Sequence, residues 1–235
     1  RQAFVLSETK GLCMTHVLTL QEIKPVTHDT YQLTFNRPDG FEFVAGQATE
    51  LAIQKEGWED EGRPFTMTSR PSDRHLEFVI KSYPDHNGMT EQIPKLGVGD
   101  QVKASAPFGA IKDYGPGVFL AGGAGVTPFI SILRKQQEEG KSGSHLIFAN
   151  KTDRVVILED TWRSMPGLKA TFVISDDQHT DHLSGMLDKS MLQKIIDVKD
   201  QLFYLCGPGA MVDDVRTALK EIGVAEDHIV TEEGW

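Results

Sequence analysis

The stretch Val118-Phe119-Leu120-Ala121-Gly122-Gly123-Ala124-Gly125-Val126-Thr127-Pro128 decides how the rest of the chain is read. Its apolar start fits a buried strand, its glycines a tight turn, and Thr127-Pro128 the opening of a helix. Proline suits a first helical turn because its missing N–H would be unpaired there anyway. Glycines let backbone approach a phosphate, and a helix N-terminus offers free N–H groups and the positive end of a dipole. Alone, the stretch supports two readings about equally: a strand-to-helix turn with no ligand, or a phosphate cradle. Its place at the first strand of a parallel sheet favours the ligand.

Downstream of this turn, strands are expected at 145–149, 170–175, 202–206 and 229–231. Helices are expected at 128–139, around 155–163 and 189–196, and at 210–222. Such alternation gives a doubly wound parallel sheet. Upstream the rhythm is different. Residues 16–23, 30–36, 48–54 and 75–82 alternate and are rich in Val, Ile, Leu, Thr and Phe. Turn residues such as Pro38-Asp39-Gly40 and Gly97-Val98-Gly99-Asp100 bound them. Short strands at this spacing suggest a closed or nearly closed antiparallel barrel. One short helix is expected near 90–96, capped by Thr90 and limited by Pro94. The fold class is therefore β plus α/β, with a barrel over 10–112 and an α/β domain over 113–235. A second turn, Leu205-Cys206-Gly207-Pro208-Gly209, ends a later strand at the carboxyl edge where ligands gather in open α/β sheets. Read blandly, Cys206 is a small buried hydrophobe.

The chain has 235 residues and a formal net charge of −10, which disfavours nucleic acid and anionic membrane as partners. No apolar run reaches the roughly 20 residues of a membrane helix. The first ten residues show no secretory signal. Two cysteines, Cys13 and Cys206, are too few for a disulfide scaffold or a four-cysteine iron–sulfur site. A reducing cytoplasm is the expected compartment. The histidines show no metal-ligand spacing, so no metal site is expected.

In the β half stands Arg63-Pro64-Phe65-Thr66-Met67-Thr68-Ser69. Strand alternation would send Arg63, Phe65 and Met67 to one face and Thr66 to the other. An arginine can grip a pyrophosphate through paired hydrogen bonds, an aromatic can stack on a flat heterocycle, and a threonine hydroxyl can reach a ring nitrogen. Without other information, an ordinary strand with a surface arginine and a core phenylalanine is the better reading.

Taken together, these segments resemble the plant-type ferredoxin–NADP reductase family, which includes the reductase halves of flavohaemoglobins and of oxygenase electron-transfer components. Arg63, Phe65, Thr66 and Ser69 match the family's Arg-x-Tyr/Phe-Ser/Thr-x-x-Ser. Phe43-Val44-Ala45-Gly46-Gln47 is similar to Phe-x-Pro-Gly-Gln, with Ala45 in place of proline. Gly88-Met89-Thr90 is similar to a Gly-x-x-Ser/Thr segment, one residue tighter. Residues 122–128 and Cys206-Gly207-Pro208 follow in family order, and the matches cover roughly 15–235.

The resemblance implies an FAD-containing reductase that takes hydride from NADH or NADPH. It assigns Arg63, with Pro64 beside it, to the FAD pyrophosphate, Phe65 to the isoalloxazine face and Thr66 to the flavin N5 edge. Ser69, Gly88, Met89 and Thr90 would complete that site. Gly122, Gly123, Gly125, Thr127, Pro128, Gly207 and Pro208 would bind the dinucleotide, with Thr127 and Cys206 near the nicotinamide. The ending 229–235 is similar to the family's Ile-x-x-Glu-x-aromatic. That makes Glu232 the acidic residue of the ending and leaves Trp235, displaced by one, as either a cover for the flavin or a surface residue at a frayed end. Thr66, Cys206 and Glu232 are the catalytic candidates.

Family members that use NADP often carry Ser-Arg after the third strand of the second domain. Here that place reads Ser175-Asp176-Asp177-Gln178, and an acid repels a 2′-phosphate while accepting hydrogen bonds from a ribose diol. Asp176 therefore favours NADH, although Lys151 and Arg154 are the opposing cations. Ferredoxin, flavodoxin or an oxygenase component is the expected acceptor. A reductase of free flavin, ferric chelates or oxygen is the alternative within enzymes. An FAD-binding electron-transfer or regulatory subunit is the alternative outside them.

Overall fold

A computed structural model describes residues 14–232 except positions 110 and 178. Cys13 and Trp235 lie outside the described residues, as does Gln178. The first sheet is antiparallel and comprises β1 (Met14–Pro25), β2 (Thr30–Asn36), β3 (Ala48–Ile53), β4 (Arg63–Thr66), β5 (His75–Lys81) and β6 (Gln101–Ser105). Their order is β4-β3-β6-β1-β2-β5. The edge strands β4 and β5 meet at a single bridge, Met67 to Phe78, and at a hydrogen bond from the Thr68 N–H to the Glu77 carbonyl, 2.7 Å. That seam makes the sheet a nearly closed barrel. Alternation builds its core: Leu33, Phe35, Leu51, Ile53, Phe78 and Ile80 point inward and are almost wholly buried.

The second sheet is parallel, built from β7 (Gly117–Gly122), β8 (Ser144–Asn150), β9 (Leu168–Ile174), β10 (Leu183–Ser184), β11 (Leu202–Cys206) and β12 (Ile229–Thr231). Its order, β10-β9-β8-β7-β11-β12, reverses direction beside β7, as in a doubly wound fold. The helices are α1 (Met89–Gln92) in the barrel, then α2 (Thr127–Glu138), α3 (Glu159–Ser164), α4 (Lys189–Ile195) and α5 (Gly209–Glu221). The helix expected around 155–163 breaks into a 3₁₀ turn, Asp153–Val155, and α3, with Leu158 left-handed between them. In the barrel, Gly88 rather than Thr90 stands at the N-cap, because its extended backbone precedes Met89 directly. Thr90 lies inside the helix, which tightens to 3₁₀ at Ile93.

The two sheets share a core. Ala45, Val79 and Ile111 from the barrel side pack with Phe129, Ile130, Ile132 and Leu133 of α2. Polar contacts fasten α2 to the barrel along its length. The Gly46 N–H donates to the Ser131 hydroxyl (2.9 Å), Arg134 reaches β5, and Glu138 accepts from Arg70 and Ser72. Tyr204, stacked on Phe119 at 4.3 Å, donates to the Gly115 carbonyl and anchors the connecting segment.

Candidate active site

A cleft of about 210 Å³ opens where the barrel meets the carboxyl edge of the parallel sheet. Pro64, Phe65, Thr66, Val79, Ile80, Lys81, Tyr83 and Thr90 line it from the barrel, and Ala124 and Thr127 from the sheet. Phe65 and Thr66 therefore stand across the cleft from Ala124 and Thr127, although strand alternation would have sent them to opposite faces. Thr127 donates its hydroxyl to the Ala124 carbonyl at 3.0 Å, which leaves its oxygen free to accept.

Close approach explains the glycines. Gly123 has φ +51° and open space where a side chain would stand. A Cβ on Gly125 would lie 2.6 Å from Gly207 Cα and would strike the Cys206 carbonyl. The two glycine turns thus interlock, and any side chain there would push them apart. Gly122 packs against Met211 and Pro208, and Pro128 is buried in α2, so both serve the turn's geometry.

Other expected site residues stand elsewhere. Arg63 points outward from β4 and is bound to Glu61 (3.1 Å) and the Gly62 carbonyl (2.7 Å), with about half its side chain exposed. Met67 is fully buried, so the same-face reading of Arg63, Phe65 and Met67 fails at its end. The strand stops at Thr66, and Met67 turns inward to the seam. Ser69 is buried and accepts the Glu77 N–H through its hydroxyl (3.1 Å), which makes it framework. The Met89 side chain lies in the barrel core, leaving only its backbone at the helix start. Asp176 is exposed after β9. Its N–H donates to the Lys151 carbonyl (2.8 Å), and its carboxylate accepts from Ser175 (2.6 Å). Cys206 ends β11, where burial, and secondarily the Glu232 carboxylate, pushes its thiol up to about 12. A thiol held there stays protonated near neutral pH, and the thiolate is the nucleophilic form.

Sequence reasoning missed the wall formed by Val79, Lys81 and Tyr83. Period-two alternation along β5 and just beyond puts these three on one face, and that signal was available. Lys81 is bound to Asp29 (3.0 Å) and stands 5.9 Å from the Tyr83 ring centre, while Tyr83 stacks on His86 at 5.1 Å. Burial works against ionisation of Asp29, but hydrogen bonds from Thr27, Lys81 and Thr30 together hold its carboxyl below the usual range.

Family models match both halves: an oxidoreductase FAD-binding domain over residues 17–113 and an oxidoreductase NAD-binding domain over 119–217. The chain belongs to the ferredoxin reductase-like family of FAD- and NAD-binding oxidoreductases. Within that family it is 29% identical over 227 residues to the propane 2-monooxygenase reductase component of Rhodococcus jostii, covering 88% of this chain and 60% of that one. It is 27% identical over 221 residues to a ferredoxin–NAD(P)+ reductase component of naphthalene 1,2-dioxygenase/salicylate 5-hydroxylase systems from a Ralstonia species, covering 90% and 66%. The chain thus spans less than two thirds of either curated relative. The solved FAD/NAD-binding domain of nitric oxide dioxygenase from Vibrio cholerae has the same fold, with a TM-score of 0.81 at 22% identity over 92% of this chain and 96% of that one.

The cleft suits the family's cofactors on its own chemistry. A flat ring, Phe65, and the hydroxyls of Thr66 and Thr90 stand across from a glycine turn whose positive-φ residue leaves room for a ligand. No helix among the described residues is long and apolar enough to cross a membrane.

Proposed function

We propose that this chain is the reductase unit of an electron-transfer system, passing hydride from a reduced nicotinamide dinucleotide to FAD and electrons onward to a separate acceptor protein such as an oxygenase component or ferredoxin. The supporting observation is the cleft that sets Phe65 and Thr66 opposite Ala124 and Thr127. FAD, when bound, supplies the hydride-accepting ring chemistry. Phe65 would hold the ring by stacking, and Thr66 would offer its hydroxyl to the N5 edge. Arg63 would turn from Glu61 to the pyrophosphate, beside the N-terminus of α1 at Gly88 and Thr90. The dinucleotide would lie over the interlocked turns, its pyrophosphate near Gly123 and Gly125. Cys206 would stand beside the nicotinamide as a neutral contact, with Glu232 next to it. The two walls would align the rings and exclude water between them. The acceptor's docking preference for oxygenase components rests on the relatives' own partners.

NADH is the proposed donor. Asp176, whose carboxylate accepts from Ser175 and whose N–H donates to the Lys151 carbonyl, supports this reading, because an acid there would repel a 2′-phosphate and could accept hydrogen bonds from a ribose diol. Steady-state kinetics with a saturating artificial acceptor test this. The value of kcat/KM for NADH should exceed that for NADPH by at least about tenfold, a difference of about 1.4 kcal/mol. Asp176→Arg should narrow the gap. A preference for NADPH in the unaltered protein would overturn the assignment.

A further inference from the structure

Arg134 lies two turns into α2, the helix that starts at the cleft-lining Thr127, and its guanidinium reaches the barrel seam. It donates to the Thr68 carbonyl on one side of the seam (3.0 Å) and to the Glu77 carboxylate on the other (2.6 Å). Glu77 is the hub of the contact. Its carboxylate also accepts from the Thr68 hydroxyl (2.8 Å) and from Gln32 on β2 (2.6 Å), while its own N–H donates to Ser69. Thr68 is thus held by its N–H, its carbonyl and its hydroxyl, two residues beyond Thr66.

Two other polar fastenings of α2 to the barrel are weaker in kind. Gly46 to Ser131 is a neutral pair, and Glu138 meets Arg70 and Ser72 at the exposed surface, where ion pairs contribute little. Arg134 and Glu77 are mostly buried, at 24% and 16% side-chain exposure. A charge-assisted contact of this geometry resists displacement.

We propose that Glu77 and Arg134 form an alignment clamp, a pair of positioning residues that sets the gap between the ring held in the barrel and the dinucleotide held on the sheet, without touching either. The inference rests on the proposed function. Hydride transfer needs reacting atoms about 3–3.5 Å apart, and a 1 Å misplacement can cost about 100-fold. The clamp joins β5, and the Thr68 segment just past the strand bearing Phe65 and Thr66, to the helix beneath the glycine turn, so its loss changes that distance before it changes either binding site.

The test uses FAD-loaded protein carrying Glu77→Gln, Arg134→Met, both together, or Arg134→Lys. The limiting rate of flavin reduction at saturating NADH should fall about 10- to 100-fold in each single variant. Dissociation constants for FAD and NADH should stay within about threefold, less than 0.7 kcal/mol. The double variant should be no slower than the slower single one, and Arg134→Lys should recover part of the rate. With 4-deuterated NADH the isotope effect on turnover should rise. In flavin-free protein, amide hydrogen exchange should quicken at 66–69 and 127–134. If Arg134→Met fails to fold, Glu77→Gln and Arg134→Lys carry the same comparison. An unchanged reduction rate, a rate loss that tracks lost FAD binding, or additive losses in the double variant would overturn the clamp. Failure of the unaltered protein to bind FAD, or to reduce it with NADH, would instead overturn the proposed function.

Discussion

Cys206 is the described residue whose position and chemistry separate most clearly. It ends β11 against the glycine turn, where a reactive thiolate would be well placed, yet burial and the Glu232 carboxylate push its pKa up to about 12. At pH 8 only about one thiol in 10⁴ would be ionised, and the thiolate is the nucleophile. Native protein should therefore keep Cys206 unmodified by iodoacetamide at pH 8 over a time that fully alkylates the urea-denatured chain, as read by peptide mass spectrometry. Because burial is the larger cause, Glu232→Gln should speed the reaction only modestly. Rapid native alkylation at pH 8 would show instead that the thiol is solvated. In the proposed function, the same desolvation would make Cys206 a small neutral surface beside the nicotinamide.

Strand β8 carries an ionisable group in a place that disfavours its charge. His145 is 9% exposed, and its Nε2 is paired with the Thr171 hydroxyl on β9 at 2.8 Å. Burial first, then Lys169, its register partner on β9, push the imidazole down to about 4, while Asp197 opposes them. The folded pKa lies below the unfolded value near 6.5, so the unfolded chain binds the extra proton between these values. This contribution is fully present above about pH 6.5 and is lost as pH falls toward 4. Between pH 7 and pH 5 it should amount to about 2 kcal/mol. Urea titrations across that range should show the slope, and His145→Asn should flatten it. An unchanged slope in the variant would place the titration elsewhere. The alternation that exposed β2 and β5 to sequence reading runs through β6 as well, with Val102 and Ala104 buried and Gln101 and Lys103 exposed, but two apolar positions in five residues are too short a signal to mark a strand. The two-residue β10 offers no period at all. Phe65 and Thr66 are legible because neighbours in sequence share one strand. The Glu77–Arg134 contact is not, because it joins residues 57 apart, one on a barrel strand and one on helix α2, and only tertiary packing brings them together.

At the scale of the molecule, the sequence changes rhythm near Asp113 but the packing has no such break. The cluster beneath α2 takes Ala45, Val79 and Ile111 from the barrel side and Phe119, Phe129 and Ile132 from the sheet side. Gly46 lies so close to Ile111 and Ile132 that a Cβ there would strike the Ile111 carbonyl, and φ +92° favours glycine besides. Its N–H is satisfied by the fully buried Ser131 hydroxyl. Independent units would meet across a polar, hydrated surface, whereas a shared apolar core couples their unfolding. Calorimetry of the flavin-free chain should therefore give one transition whose van't Hoff and calorimetric enthalpies agree. Ser131→Ala should cost about 1–3 kcal/mol by leaving the Gly46 N–H buried and unpaired, and should lower that single transition without splitting it. Two resolved transitions would mean that the barrel and the sheet hold their cores separately. The cleft between them would then be free to open on thermal motion, and the polar contacts of α2 alone would have to hold Phe65 against the glycine turn.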